Sequence, residues 1–74
     1  MNRNLEFDKN EFNAQLARRG VKKLEIANIL GITYTSLYRK IEGGGNFSRE
    51  EMAKIIDFLQ IDDPARIFFV KDVT

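Results

Sequence analysis

The side chains available for chemistry in this 74-residue chain are cations, hydroxyls and carboxylates, because it holds no His, no Cys and no Trp. That removes the imidazole base, the thiol nucleophile and the usual zinc-ligand sets. It also removes any disulfide, and with it any sign of an oxidising compartment. The carboxylates Glu50, Glu51, Asp57, Asp62 and Asp63 are spread along the chain, and a domain of this size leaves little room for a deep pocket. No enzyme activity, cofactor, metal or small-molecule substrate is therefore expected. The informative feature is where the charge lies. The net charge is only +1, yet Arg18, Arg19, Lys22, Lys23, Arg39 and Lys40 fall in one stretch against Glu25 alone. Residues 18–41 thus carry +5 and the remainder −4. Such segregation within one small domain suggests a polyanion on one side. The alternative is a solvated surface of mixed charge.

Those cations must be positioned by short helices. Length implies one domain, residues 1–74, and the 43% hydrophobic content is that of an ordinary globular chain. The longest apolar runs are far short of the ~18–20 residues that span a bilayer, and no secretory signal pattern opens the chain, so no membrane association is expected. Residues 1–5 are expected to fray. Asp8 and Glu11 have capping-box spacing, and Phe7 can staple onto Phe12, so a first helix is expected from about Asp8 to Arg19, closed by Gly20. A second runs from about Lys22 to Leu30, with Ile26, Ile29 and Leu30 on one face. Lys22 is a poor N-cap, and two lysines oppose the helix dipole, which an anion docked there would offset. Thr33 caps a third helix over residues 34–41, with Leu37 and Ile41 inward. That leaves Tyr34, Thr35, Ser36, Tyr38, Arg39 and Lys40 largely outward. Gly43-Gly44-Gly45 is a turn, lacking the lysine-serine/threonine continuation and the preceding strand of a phosphate loop. Ser48 and Glu51 form a capping box for a fourth helix reaching about Gln60. Asp63-Pro64 opens a short fifth helix through Ile67 and Phe68. Residues 70–74 are a strand or a tail. The expected fold is all-α, a compact bundle of about five short helices. A core this small yields only ~3–5 kcal/mol, so partner burial or dimerisation is a plausible supplement.

Residues 22–42, KKLEIANILGITYTSLYRKIE, hold the constellation of interest. Ala27 is small enough for the next helix to approach. Gly31 tolerates the positive φ of a tight turn. Ile32 plugs the angle between the helices, and Leu37 locks the second helix onto the core. This is the logic of a helix-turn-helix.

These residues resemble the phage repressor/Cro-type helix-turn-helix family, within the lambda-repressor-like fold. The resemblance lies in Ile26-Ala27, Gly31-Ile32-Thr33 and Leu37. The run Leu37-Tyr38-Arg39-Lys40-Ile41 followed by glycine and Phe47-Ser48, with Asp63-Pro64 and Ile67-Phe68-Phe69, looks most like small Cro-like proteins of Gram-positive phages. It covers about Phe12 to Phe69. Two places depart from the family pattern. Lys22-Lys23 stand where a Thr-Gln pair is usual, and the glutamate that usually follows the recognition helix is displaced by one step at Glu42.

The resemblance implies a small transcriptional regulator of a bacterial or phage-infected cell's cytoplasm, binding an operator in double-stranded DNA, with residues 34–41 in the major groove. Carried over by position, Tyr34, Thr35 and Arg39, with Ser36 and Tyr38 nearby, would contact bases. Arg39 can fork onto guanine, and the Thr35 methyl can touch a thymine methyl. Lys22, Lys23 and Lys40, with Asn46 and Ser48, are candidates for phosphate. Ala27, Gly31, Ile32 and Leu37 are structural on any reading. Three alternatives stay open: Tyr34 and Tyr38 packing as a surface pair, Arg39 pairing with Glu42, and solvated lysines at 22 and 23. A homodimer on a near-palindromic operator is expected, with half-sites about 34 Å apart. Residues 62–74 are the candidate dimerisation segment, through Phe68, Phe69 and Val70, unless that tail covers the monomer core. The competing function is a protein-interaction module on the same scaffold, an antirepressor partner or antitoxin-like subunit, with Tyr34 and Tyr38 as anchors.

Overall fold

Four α-helices close around a cluster of phenylalanine and aliphatic side chains. The computed structural model describes residues 5–68 and 70–71. In chain order these form β1 (Leu5–Glu6), α1 (Lys9–Arg19), α2 (Lys23–Leu30), α3 (Tyr34–Glu42), α4 (Arg49–Leu59), a 3-10 turn over Pro64–Arg66, and β2 (Val70–Lys71). The radius of gyration, 12.0 Å, is near the ~11 Å expected of a packed chain this long.

Each helix begins and ends for a local reason. Asp8 accepts from the Glu11 N–H at 2.9 Å and starts α1. The reciprocal half of that box is not made, because the Glu11 carboxylate accepts from Gln15 and Arg18 instead. Gly20 ends α1 and Gly31 ends α2, both left-handed, at φ 65° and 73°. Thr33 caps α3 through the Ser36 N–H at 3.0 Å. Ser48 and Glu51 make both halves of the capping box that opens α4. Gln60 closes α4 at φ 55°, a left-handed position held by a non-glycine residue; its amide donates to the Asp57 carbonyl at 2.7 Å.

The core is one cluster. Phe12, Ile26, Ala27, Leu37, Ile55 and Ile67 have no exposed surface, and Leu16, Leu30, Ile41, Phe47, Leu59, Ile61 and Phe68 are nearly as buried. Phe7, Val21, Ile29, Ile32, Met52 and Ile56 pack around it. Phe7 stacks at 5.6 Å on Phe12, as the staple requires, and at 5.6 Å on Phe47. Helix α2 is the hub, packing on both α3 and α4. Burying α2 fixes the turn at residues 31–33, and so fixes how α3 leaves the body.

Three expectations are corrected. The fifth helix is a single 3-10 turn, ending before Ile67 and Phe68, and Asp63 makes no side-chain cap bond to it. Ile67 and Phe68 are core residues instead. Leu5 is not frayed, since β1 pairs antiparallel with β2, Leu5 opposite Lys71 and Glu6 opposite Val70. Beside that pairing, the Asp8 N–H donates to the Ile67 carbonyl at 2.7 Å. Phe69 and residues 72–74 lie outside the described residues.

Candidate functional site

Helix α3 has two faces that share nothing. Leu37 and Ile41 enter the core at 0% and 2% exposure. Opposite them, Thr35 and Arg39 are exposed, one turn apart and therefore neighbours along the helix surface. Tyr34 and Tyr38 flank that pair, 48% and 50% exposed. Their rings make no aromatic contact with each other; the ring pairs among the described residues all lie in the Phe7, Phe12, Phe47 and Phe68 cluster. The surface-pair alternative is thus not realised. Arg39 does not pair with Glu42 either, because Glu42 takes the Lys9 ammonium at 2.9 Å. Among the described residues the Arg39 guanidinium has no ion pair or side-chain hydrogen bond.

Two further α3 residues are committed to the fold. Ser36 is half-buried, and its Oγ accepts from the Thr33 hydroxyl at 3.1 Å. Lys40 is half-buried and donates to the Asn46 carbonyl at 3.3 Å, with Glu51 Oε1 also at 3.3 Å. Burial pushes the Glu51 carboxyl up, but the Ser48 N–H bond and the Lys40 ammonium outweigh it and leave its pKa below the ordinary value. The Lys40 charge is largely spent inside the molecule. Asn46 and Ser48 sit exposed at this loop, with the Ser48 oxygen already accepting from the Glu51 N–H.

The basic stretch also divides. Arg18 pairs with Glu11 at 3.3 Å, and Arg19 bonds Gln15 and the Gln60 carbonyl. Both line a polar cleft with Asp62, Asp63 and Arg66, on ground where charges cancel. Lys22 and Lys23 remain. They lie at the start of α2 and make no side-chain ion pair or hydrogen bond among the described residues. An ammonium cannot accept, so Lys22 supplies no side-chain cap; the Glu25 carboxylate accepts from the Lys22 N–H at a long 3.4 Å. The positive end of the α2 dipole and two unpaired ammonium groups therefore coincide.

These lysines wall an open cleft of about 480 Å³ with Asn13, Leu16, Ala17, Val21, Leu24 and Tyr34. Tyr34 belongs both to this cleft and to α3, along which Tyr38 follows it by one turn and Thr35 and Arg39 are exposed. The sequence reading passed over Leu24, which is 56% exposed in the first turn of α2. The signal was present: Leu24 lies off the stripe made by Ile26 and Leu30.

The structure separates the remaining predicted positions. Ala27 and Leu37 are fully buried and Ile32 packs on the core, as the turn requires. Phe68 is 6% exposed, with its ring 5.8 Å from Phe7 and 5.9 Å from Phe47, so that ring belongs to the monomer core. The Val70 backbone is engaged by β1. Phe69 lies outside the described residues. Among the described residues, no helix is long and apolar enough to cross a membrane. Comparison with known proteins found no matching family model, curated relative or solved structure.

Proposed function

We propose that this chain is a sequence-specific double-stranded DNA-binding protein, a small transcriptional regulator of the phage repressor/Cro type on a lambda-repressor-like helix-turn-helix scaffold. The observation that carries the reading is the unobstructed outer face of α3. Thr35 and Arg39 stand exposed and unpartnered on it, and the unpaired Lys22 and Lys23 share a cleft with Tyr34 of the same helix. A helix so mounted presents its early outward side chains to base edges in a major groove. Arg39 forks onto guanine, Thr35 donates or accepts, and the lysines with the α2 N-terminus meet phosphate. Nothing in this role calls for catalysis, a cofactor or a metal. The protein acts as a homodimer in the cytoplasm of a bacterial or phage-infected cell, because a single helix reads too few bases for an operator. With the Phe68 ring buried in the core, the dimer contact falls elsewhere.

Selection of bound fragments from a pool of random-sequence duplexes tests this. Enrichment of a near-palindromic site containing guanine in each half supports it. Failure to retain any duplex at low salt overturns it.

One observation favours a second reading as a protein-binding module. Leu24, Tyr34 and Tyr38 are three of the four large hydrophobic side chains left exposed among the described residues. Aromatic anchors of this kind recur in protein interfaces. A partner held by their burial would bind with little salt dependence, whereas duplex DNA would not.

A further inference from the structure

The apolar side chains on the basic face have no role in a purely electrostatic footprint, and their placement narrows what a duplex must offer. Leu24 comes from the first turn of α2 and Tyr34 from the first turn of α3, yet both line one cleft. Tyr38 follows Tyr34 by one helical turn. The three are 56%, 48% and 50% exposed. Leu24 and Tyr34 thus form an apolar ledge beside Lys22 and Lys23, continued along α3 by Tyr38.

The polar inventory of α3 is equally telling. Its sequence YTSLYRKIE contains no Asn or Gln, so no amide can bond adenine N6 and N7 as a pair. Its single carboxylate, Glu42, is held by Lys9 and is not free to accept from cytosine N4. Arg39 is the one fork available, and it suits guanine. Beyond the Thr35 and tyrosine hydroxyls, which can donate or accept, discrimination among the remaining base pairs falls to groups that need no hydrogen bond. In the major groove the feature of that kind is the thymine 5-methyl.

We infer that Leu24, Tyr34 and Tyr38 read thymine methyl groups beside the guanine taken by Arg39. The inference rests on the DNA-binding reading above and assigns its specificity. The ledge is apolar where thymine is apolar, and Lys22 and Lys23 beside it match backbone phosphates. Burying one methyl-sized group is worth about fourfold in affinity, so the effect is measurable base by base.

The test uses the intact protein and the duplexes it enriches from a random-sequence pool. The same duplexes are then amplified with dUTP in place of dTTP, which removes only the methyl groups. The uracil form should bind at least about fourfold more weakly to the wild-type protein. That ratio should fall toward one in Leu24→Ala, Tyr34→Ala and Tyr38→Ala, whose exposed positions leave the fold intact by circular dichroism. Arg39→Ala should weaken both forms and preserve the ratio. Equal binding of the two forms by the wild type overturns the inference while leaving DNA binding standing. So does a ratio that survives all three alanine variants. If no duplex is enriched at all, the DNA-binding reading itself fails.

Discussion

Lys40 Nζ lies 3.3 Å from Glu51 Oε1 and 3.3 Å from the Asn46 carbonyl oxygen, so one ammonium ties the end of α3 to the start of α4 across the glycine turn. The same Glu51 carboxylate accepts from the Ser48 N–H at 2.9 Å. These contacts hold its pKa below the ordinary carboxylate value against the opposing effect of burial. A lowered folded-state pKa means that the unfolded chain takes up a proton first as pH falls. The stabilisation is therefore fully present above the unfolded pKa and is lost as pH falls through the folded one. Glu51→Gln should lower the melting temperature near neutral pH. The gap to wild type should close at pH values below the carboxylate range. Melts followed by circular dichroism across that range check it, and a gap independent of pH would contradict it.

Arg39 and Lys23 should behave differently on substitution, because one faces the centre of the α3 surface and the other the helix end. Arg39→Ala should cost about 1–3 kcal/mol on the preferred site and relax specificity there. Lys23→Ala should weaken preferred and random duplexes alike. Electrophoretic titrations of both variants on both duplexes measure this. Equal losses on both duplexes for Arg39→Ala would refute its base-reading role.

The Phe68 ring is a core group, seated between Phe7 and Phe47. Truncating a buried phenylalanine costs about 3–5 kcal/mol, as much as a core this small supplies. Phe68→Ala should therefore abolish the cooperative urea transition at every protein concentration. A variant that stays folded and loses only self-association would place the ring in an interface.

Gly44 and Gly45 both have positive φ, 95° and 78°, but only Gly45 lies against another side chain, the ring of Phe7. An L-residue at either position bears about 1–2 kcal/mol of backbone strain. At Gly45 an added Cβ must also displace Phe7 from the aromatic cluster, for roughly 1–3 kcal/mol more. Gly45→Ala should thus be clearly less stable to urea than Gly44→Ala. Equal midpoints would show that Phe7 yields freely.

The helices were legible because their signals are local. Asp8, Thr33 and Ser48 cap where side-chain chemistry says they should, and Gly20 and Gly31 end helices by left-handed geometry. Leu37 and Ile41 declared the inner face of α3 by spacing, which by subtraction exposes Thr35 and Arg39. What escaped was long-range. Nothing near residues 64–68 says that Ile67 and Phe68 are needed by a core built from all four helices, so the apolar run reads as a helix. The pairing of Leu5 with Lys71 joins opposite ends of the chain. The +5 stretch includes Arg18, Arg19 and Lys40, although Glu11 pairs with Arg18, Glu51 with Lys40, and the distant Gln60 carbonyl accepts from Arg19. Leu24 lies on no buried stripe, so the spacing that marks core residues does not pick it out.

The salt dependence of duplex binding tests the central claim most directly, since it counts the phosphates that the exposed face neutralises. Lys22, Lys23 and Arg39 are the three cations of that face left unpaired among the described residues. A dimer presenting both sets should lose affinity on the order of a thousandfold between about 50 and 200 mM salt, and a lone protomer about fortyfold. A flat profile across that range, or no retention of duplex at the lower salt, would contradict the account.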